Sequence, residues 1–138
     1  MNAEQNKQQV IEAWKVFSSG DPQLVSEVFS EDAEWLAPAG NATAVALNYT
    51  NHMIGREAIA RFITSEFRKL FEQDVNIEFR NIFADGNTVI VEERMQARLA
   101  GGKLYDNDYC FFFELEDGRI RRVREYMDTQ RAKDIILG

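Results

Sequence analysis

The sequence predicts an α+β fold: a curved, cone-shaped antiparallel sheet packed on three N-terminal helices. Three observations predict it. Asp117-Gly118 sits between two runs rich in aromatic and β-branched residues, which is a strong hairpin signal. Apolar residues recur at helical spacing only in the first half of the chain, up to Phe71. From Val75 onward the pattern alternates, with turn signals at Asp85-Gly86-Asn87 and Ala100-Gly101-Gly102. Helices first and strands afterwards is an α+β plan.

Each element follows from local chemistry. Gln5 to Ser19 reads as a helix whose stripe is Val10, Ile11, Trp14 and Phe17, ended by Gly20. Asp21-Pro22 starts the next helix, with Asp as N-cap and Pro in the first turn. Leu24, Val25, Val28 and Phe29 supply its buried face. Ala33 to Ala37 is a short strand closed by Pro38. Ala39 to Met53 has no clear period and reads as an irregular loop, alone or with some strand in it. Arg56 to Phe71 is the third helix, with Ile59, Phe62, Ile63, Phe67 and Leu70 along one stripe. Four strands follow: Val75–Ala84, Thr88–Leu99, and the two arms of the Asp117-Gly118 hairpin. Asp128 caps a last short helix, Thr129 to Leu137. Helices gathered on one face of a curved sheet leave a conical space, where small ligands bind.

The chain has 138 residues and a net charge of −7. That length reads as one domain, 1–138. The acidic balance disfavours nucleic acid, which needs a basic face. No apolar run reaches the roughly 20 residues that span a bilayer, and Met1 to Gln9 lacks a signal peptide's apolar centre. A cytoplasmic location is the expectation. Cys110 is alone and lies in an apolar strand, so a buried, inert thiol is expected. Metal-ligand spacing and a Gly-rich phosphate loop are both missing, so neither metal nor cofactor is expected.

Glu125 is the residue on which a functional reading rests. It shares the apolar parity of the last strand with Val123 and Met127, while Arg122 and Arg124 take the other. An inward carboxylate is costly, so it needs a partner or a wet pocket. Two readings stand: a proton-transfer residue at a cavity, or the structural partner of a buried arginine. Arg94 is the candidate partner, although parity alone does not choose among Glu92, Glu93, Arg94 and Arg98. Asn107, Tyr109, Phe111 and Phe113 share a parity and should line one face. Trp14 and Trp35 read as core or as ligand platforms. His52, the one histidine, reads as a surface residue or a proton carrier. Bulk on both faces of the hairpin points to a homodimer through the exposed sheet face.

Five local motifs stand out: Gly20-Asp21, Phe29-Ser30-Glu31-Asp32-Ala33, Gly55-Arg56-Glu57-Ala58, Asp117-Gly118-Arg119-Ile120 and Arg124-Glu125-Tyr126-Met127-Asp128. With the order of elements, they resemble the SnoaL-like (polyketide cyclase) branch of the nuclear-transport-factor-2-like superfamily. The resemblance implies the cone fold. It implies function only weakly, because this fold hosts isomerases, cyclases, hydrolases and binding proteins. The base, the Tyr and the second acid of the ketosteroid isomerases fall at Ala37, Ala13 and Phe111, all apolar, which disfavours that reaction. The Asp-Arg-Asp set of limonene-epoxide hydrolases falls at Arg94, Gln96 and Glu125, and Tyr49-Thr50-Asn51 repeats the spacing of their water-positioning pair. SnoaL-type cyclases place their acidic base at Glu125. The resemblance therefore implies a cofactor-independent acid–base enzyme acting on a small, largely apolar or polyketide-like molecule. Glu125 and Arg94 are its expected catalytic residues. Tyr49, Asn51, His52, Gln96, Asn107, Tyr109, Phe111, Trp35 and Trp14 are its expected substrate contacts. The alternative is a non-catalytic small-molecule-binding or scaffold protein of the same fold.

Overall fold

A computed structural model describes residues 1–138. Helix α1 spans Ala3–Phe17 and starts two residues earlier than the apolar stripe suggests. Asn2 and Gln5 form a capping box there, each side chain serving the other's backbone N–H. Asp21 caps α2 (Pro22–Glu27) through bonds from the Gln23 and Leu24 N–H groups. Strand β1 runs from Phe29 to Leu36, longer than its apolar part.

The stretch between Ala39 and Met53 has some strand, as its alternative reading allowed, and also a helix that the reading did not include. It contains a short helix, α3 (Ala42–Leu47), and a strand, β2 (His52–Ile54). Asn41 accepts from the Ala44 N–H at 3.0 Å and starts the helix. Asn48 ends it in the left-handed conformation, which Asn tolerates better than most residues. Six residues between two asparagines are too few to show a helical period.

The third long helix is interrupted. Helix α4 (Arg56–Arg61) passes through a π-helical turn, Phe62–Glu66, into α5 (Phe67–Leu70). Strands β3 (Phe71–Asp85), β4 (Thr88–Leu99), β5 (Leu104–Glu116) and β6 (Arg119–Met127) then form an antiparallel meander. Helix α6 (Thr129–Ile136) is capped by Asp128 as expected.

The sheet order is β2-β1-β6-β5-β4-β3, with β1 parallel to β6 and every other pair antiparallel. The predicted α+β plan and its curved sheet are therefore present, with six strands. Asp117 and Gly118 both have positive φ, +51° and +79°, as a type I′ turn demands.

Alternation assigns the faces. On β4, Val89, Val91, Glu93, Met95, Ala97 and Leu99 are buried. On β5 the buried set is Tyr105, Asn107, Tyr109, Phe111, Phe113 and Leu115. Helix α1 lays Val10, Ala13 and Phe17 against this inner face. Trp14 packs edge-on to Phe111 at 5.2 Å and to Phe113 at 6.0 Å. Trp35 meets Phe111 edge-on at 5.9 Å, and Phe17 stacks on Phe29 at 5.8 Å. Each such ring contributes about 1.5–3 kcal/mol by leaving water.

The outer face carries ion pairs. Arg122 reaches Glu34 at 3.3 Å, and Arg80 reaches Asp108 at 2.8 Å. Arg124 lies over the Phe112 ring, 4.9 Å from its centre. Two guanidinium groups on the outside and Glu125 on the inside is the cheaper arrangement, since a buried unpaired guanidinium cannot shed its charge. No helix is long and apolar enough to cross a membrane.

Candidate functional site

The central strand β5 sets the site. Its inner row places Tyr105, Asn107, Tyr109 and Phe111 in succession. Glu93 on β4 lies directly opposite Tyr109, and Glu125 on β6 lies directly opposite Phe111. Two carboxyl groups thus flank a short aromatic segment from the two neighbouring strands. No lysine or arginine is among the buried residues of this face.

The two carboxyls have different surroundings. Glu125 is half-buried, and its Oε1 accepts the Trp35 indole N–H at 2.8 Å. Burial pushes its pKa up to about 7, and the Trp35 bond holds it back. Glu93 is 2% exposed, and its Oε2 has no hydrogen-bond partner. Burial, aided by the charge of Glu125, pushes it up to about 8. Of the two, only Glu125 has a donor that favours its anion.

Beside the pair lies a hydroxyl chain. The Tyr105 and Tyr109 oxygens are 2.7 Å apart, and Asn107 donates to Tyr105 at 2.9 Å. Asn107 also donates to the Asp128 carbonyl at 3.0 Å, which ties the chain to the start of α6. Burial raises the pKa of both phenols, so both are neutral donors near neutral pH. Two surface clefts lie elsewhere. One of about 410 Å³ is lined by Met1, Gln9, Glu27, Val28, Asp117, Gly118, Arg119 and Ile120. The other, about 290 Å³, lies along the exposed side of α1. Neither includes Glu93 or Glu125.

A family profile for the SnoaL-like domain matches residues 8–123. The chain belongs to the SnoaL-like family. Bal32a, from a soil-derived mobile gene cassette, is 27% identical to this SnoaL-like chain over 97% of each, with a TM-score of 0.80. An NTF2-like protein of Burkholderia xenovorans LB400 is 21% identical over 99% of this chain and 98% of its own, also at 0.80. A putative SnoaL-like polyketide cyclase of Jannaschia sp. CCS1 is 17% identical over 97% and 92%, at 0.76. The last two likenesses concern the fold alone. No curated protein matches the sequence.

Within the SnoaL-like fold, the residues singled out from sequence divide between the two faces. Glu125, Trp35, Trp14, Asn107, Tyr109 and Phe111 are on the inner face and adjoin one another. Arg94 is not there. It is on the outer face of β4, where Asp106 receives its Nε at 2.8 Å and Glu78 lies 3.9 Å away. The expected Arg94–Glu125 pair is thus absent, because residues of even number on β4 point away from the cone. Gln96 is outside for the same reason, opposite Asp106. His52 is outside too, bonded to Glu34 at 2.8 Å. Together His52 and Arg122 hold Glu34 below the usual carboxylate range. Asn51 donates to the Ala37 carbonyl at 3.1 Å, a structural tie between strand ends. Tyr49 packs on Phe62, their rings 5.5 Å apart. Cys110 is half-buried on the outer face rather than fully buried, and burial raises its thiol pKa.

Glu93 and Tyr105 are the site residues that the sequence reading missed. A signal for Glu93 existed. Val89, Val91, Met95, Ala97 and Leu99 are apolar and share its parity, while Thr88, Glu92, Arg94, Gln96 and Arg98 share the other. Counting that alternation assigns Glu93 to the inside.

Proposed function

We propose that this chain is a cofactor-independent acid–base enzyme acting on a small, neutral, largely apolar molecule that carries a carbonyl group or a strained ether. The observation that carries the reading is the pair of inward carboxyls, Glu93 and Glu125, of which only Glu125 holds the Trp35 bond. Burial raises both pKa values toward neutrality, and the Trp35 donor suits Glu125 to take the base role and Glu93 the acid role. That division supplies a base and an acid on opposite sides of one aromatic segment. Help of this kind contributes roughly 10²–10⁴-fold, enough for an activated carbon acid. Two acidic groups and no buried cation disfavour an anionic substrate. The SnoaL-like membership and the likeness to a putative polyketide cyclase support a ligand of this class.

The test is hydrogen–deuterium exchange at the α-carbon of a neutral ketone such as 2-tetralone, followed by NMR in buffered D₂O. The protein should accelerate exchange, and Glu125→Gln should abolish the acceleration while leaving binding nearly intact. Unchanged exchange in Glu125→Gln would remove Glu125 from the mechanism.

The second reading is a ligand carrier or scaffold without catalysis. The edge-to-face contacts of Trp14, Trp35, Phe111 and Phe113 favour it, since those rings occupy much of the cone. Binding of the ketone without any exchange would support it. Under either reading the proposal includes a cytoplasmic homodimer that pairs through the outer sheet face.

A further inference from the structure

The inner row of β5 has almost no contact with solvent. Asn107 has no exposed surface, Tyr105 and Tyr109 are buried, and Glu93, directly opposite Tyr109, is 2% exposed. Neither surface cleft includes any of them. A molecule that is to meet Glu93 must therefore move part of the protein. The part that costs least to move is the one with the fewest buried contacts.

Helix α6 lies across this end of the sheet. It leaves β6 at Asp128, whose carbonyl accepts the Asn107 Nδ2 at 3.0 Å. Its far end meets the β4–β5 turn, where Lys103 Nζ donates to the Ile135 carbonyl at 2.8 Å. Between these ties it packs on β5, and α3 packs on it. Its hold is slight. Eight residues are too few for a helix to persist in water without docking. Only Ala132 among them is buried; Ile135 and Ile136 are half-buried, and the other five are exposed. Its ion pair, Arg131 to Asp108 at 3.7 Å, joins two half-exposed side chains and adds little. Helix α1, by contrast, buries Asn6, Val10, Ala13 and Phe17.

We propose that α6 is a lid over the inner row. It detaches as a unit, turning about Asp128, and that opening admits solvent or a small molecule to Asn107, Tyr109 and Glu93. What enters rests on the small-molecule reading above; the opening itself does not. Detaching α6 breaks the bond between Asn107 and Asp128, so the Asn107 side-chain amide is uncovered with it. The strands stay paired, because the ladders of β4, β5 and β6 do not run through α6.

Two rates test the lid. One is deuterium exchange at the Ala132 amide, which bonds to the Asp128 carbonyl inside the helix. The other is modification by a small methanethiosulfonate of the thiol of Tyr109→Cys, in a Cys110→Ser background. Asp128→Ala deletes the cap that accepts the Arg131 N–H at 2.9 Å, and should speed both rates by about fivefold. In the protein that keeps Tyr109, exchange of the Asn107 side-chain hydrogens should rise by the same factor. The Val91 amide on β4 should not change. Faster Ala132 exchange with unchanged thiol and Asn107 rates would mean that the helix frays without uncovering the row, which overturns the lid and leaves the small-molecule reading standing. An equal gain at Val91 would mean global unfolding, and no gain at any site would mean that α6 does not open by itself; either result also overturns the lid. Failure of the small-molecule reading is read separately, from the α-carbon exchange of 2-tetralone.

Discussion

Trp35 donates its indole N–H to Glu125 across 2.8 Å, from a strand parallel and adjacent to the one that carries the carboxylate. Trp35 pairs in register with Val123, so its ring overhangs the next inward residue, Glu125. That bond is one difference between the two acids, beside the deeper burial of Glu93. Glu125 has a donor for its anion and Glu93 does not.

Removing that donor should make Glu125 a weaker acid. Trp35→Phe keeps most of the packing against Phe111 and deletes the N–H. The Glu125 pKa should rise above its value of about 7, since the bond favours the anion. Carboxyl ¹³C titration by NMR measures it directly. An unchanged or lower pKa would show that the bond does not govern the pair.

The two carboxyls should also shape stability against pH. Both pKa values are raised in the folded state, from 4.5 to about 8 for Glu93 and to about 7 for Glu125. The folded protein therefore holds these protons more tightly than the unfolded chain. Their stabilising contribution is complete below pH 4.5, fades as pH rises, and is gone above about 8. For Glu93 the full change corresponds to roughly 3–5 kcal/mol. Thermal unfolding from pH 5 to pH 9 should show a declining Tm in the wild type. Glu93→Gln should flatten that decline, since an amide does not titrate. An equal slope in the variant would count against a raised Glu93.

The outer face bears on assembly. Tyr126 is 48% exposed and meets Phe112 edge-on at 6.0 Å, with Arg124 over the same ring. Light scattering at micromolar concentration should give twice the 15.9 kDa of one chain. Tyr126→Asp should yield a monomer whose melting temperature is little changed when measured under dissociating dilution. A wild-type monomer would end the proposal of pairing through this face.

Local chemistry in the sequence was enough for the four-strand meander, its hairpin and three of the helix starts. Asp117-Gly118, Asp21-Pro22 and Asp128 each act within three residues, so their turn and caps are legible without neighbours. The helix Ala42–Leu47 was hidden because six residues are too few to show a 3.6-residue period. The inward position of Glu125 was also legible, since Val123 and Met127 flank it on a simple alternation. What only the tertiary structure decided is which groups Glu125 meets. Arg94 is one residue from Glu93, and that single step on a strand carries a side chain to the opposite face. The cation pairs with Asp106 outside, and the neighbouring acid faces Tyr109 inside. Trp35 reaches Glu125 across 90 residues of sequence, through a parallel pairing that no local pattern encodes. A carboxylate's acidity depends on those through-space neighbours. The alternation in the sequence therefore assigned Glu125 to the inner face, and the packing of three strands determined which groups it meets there.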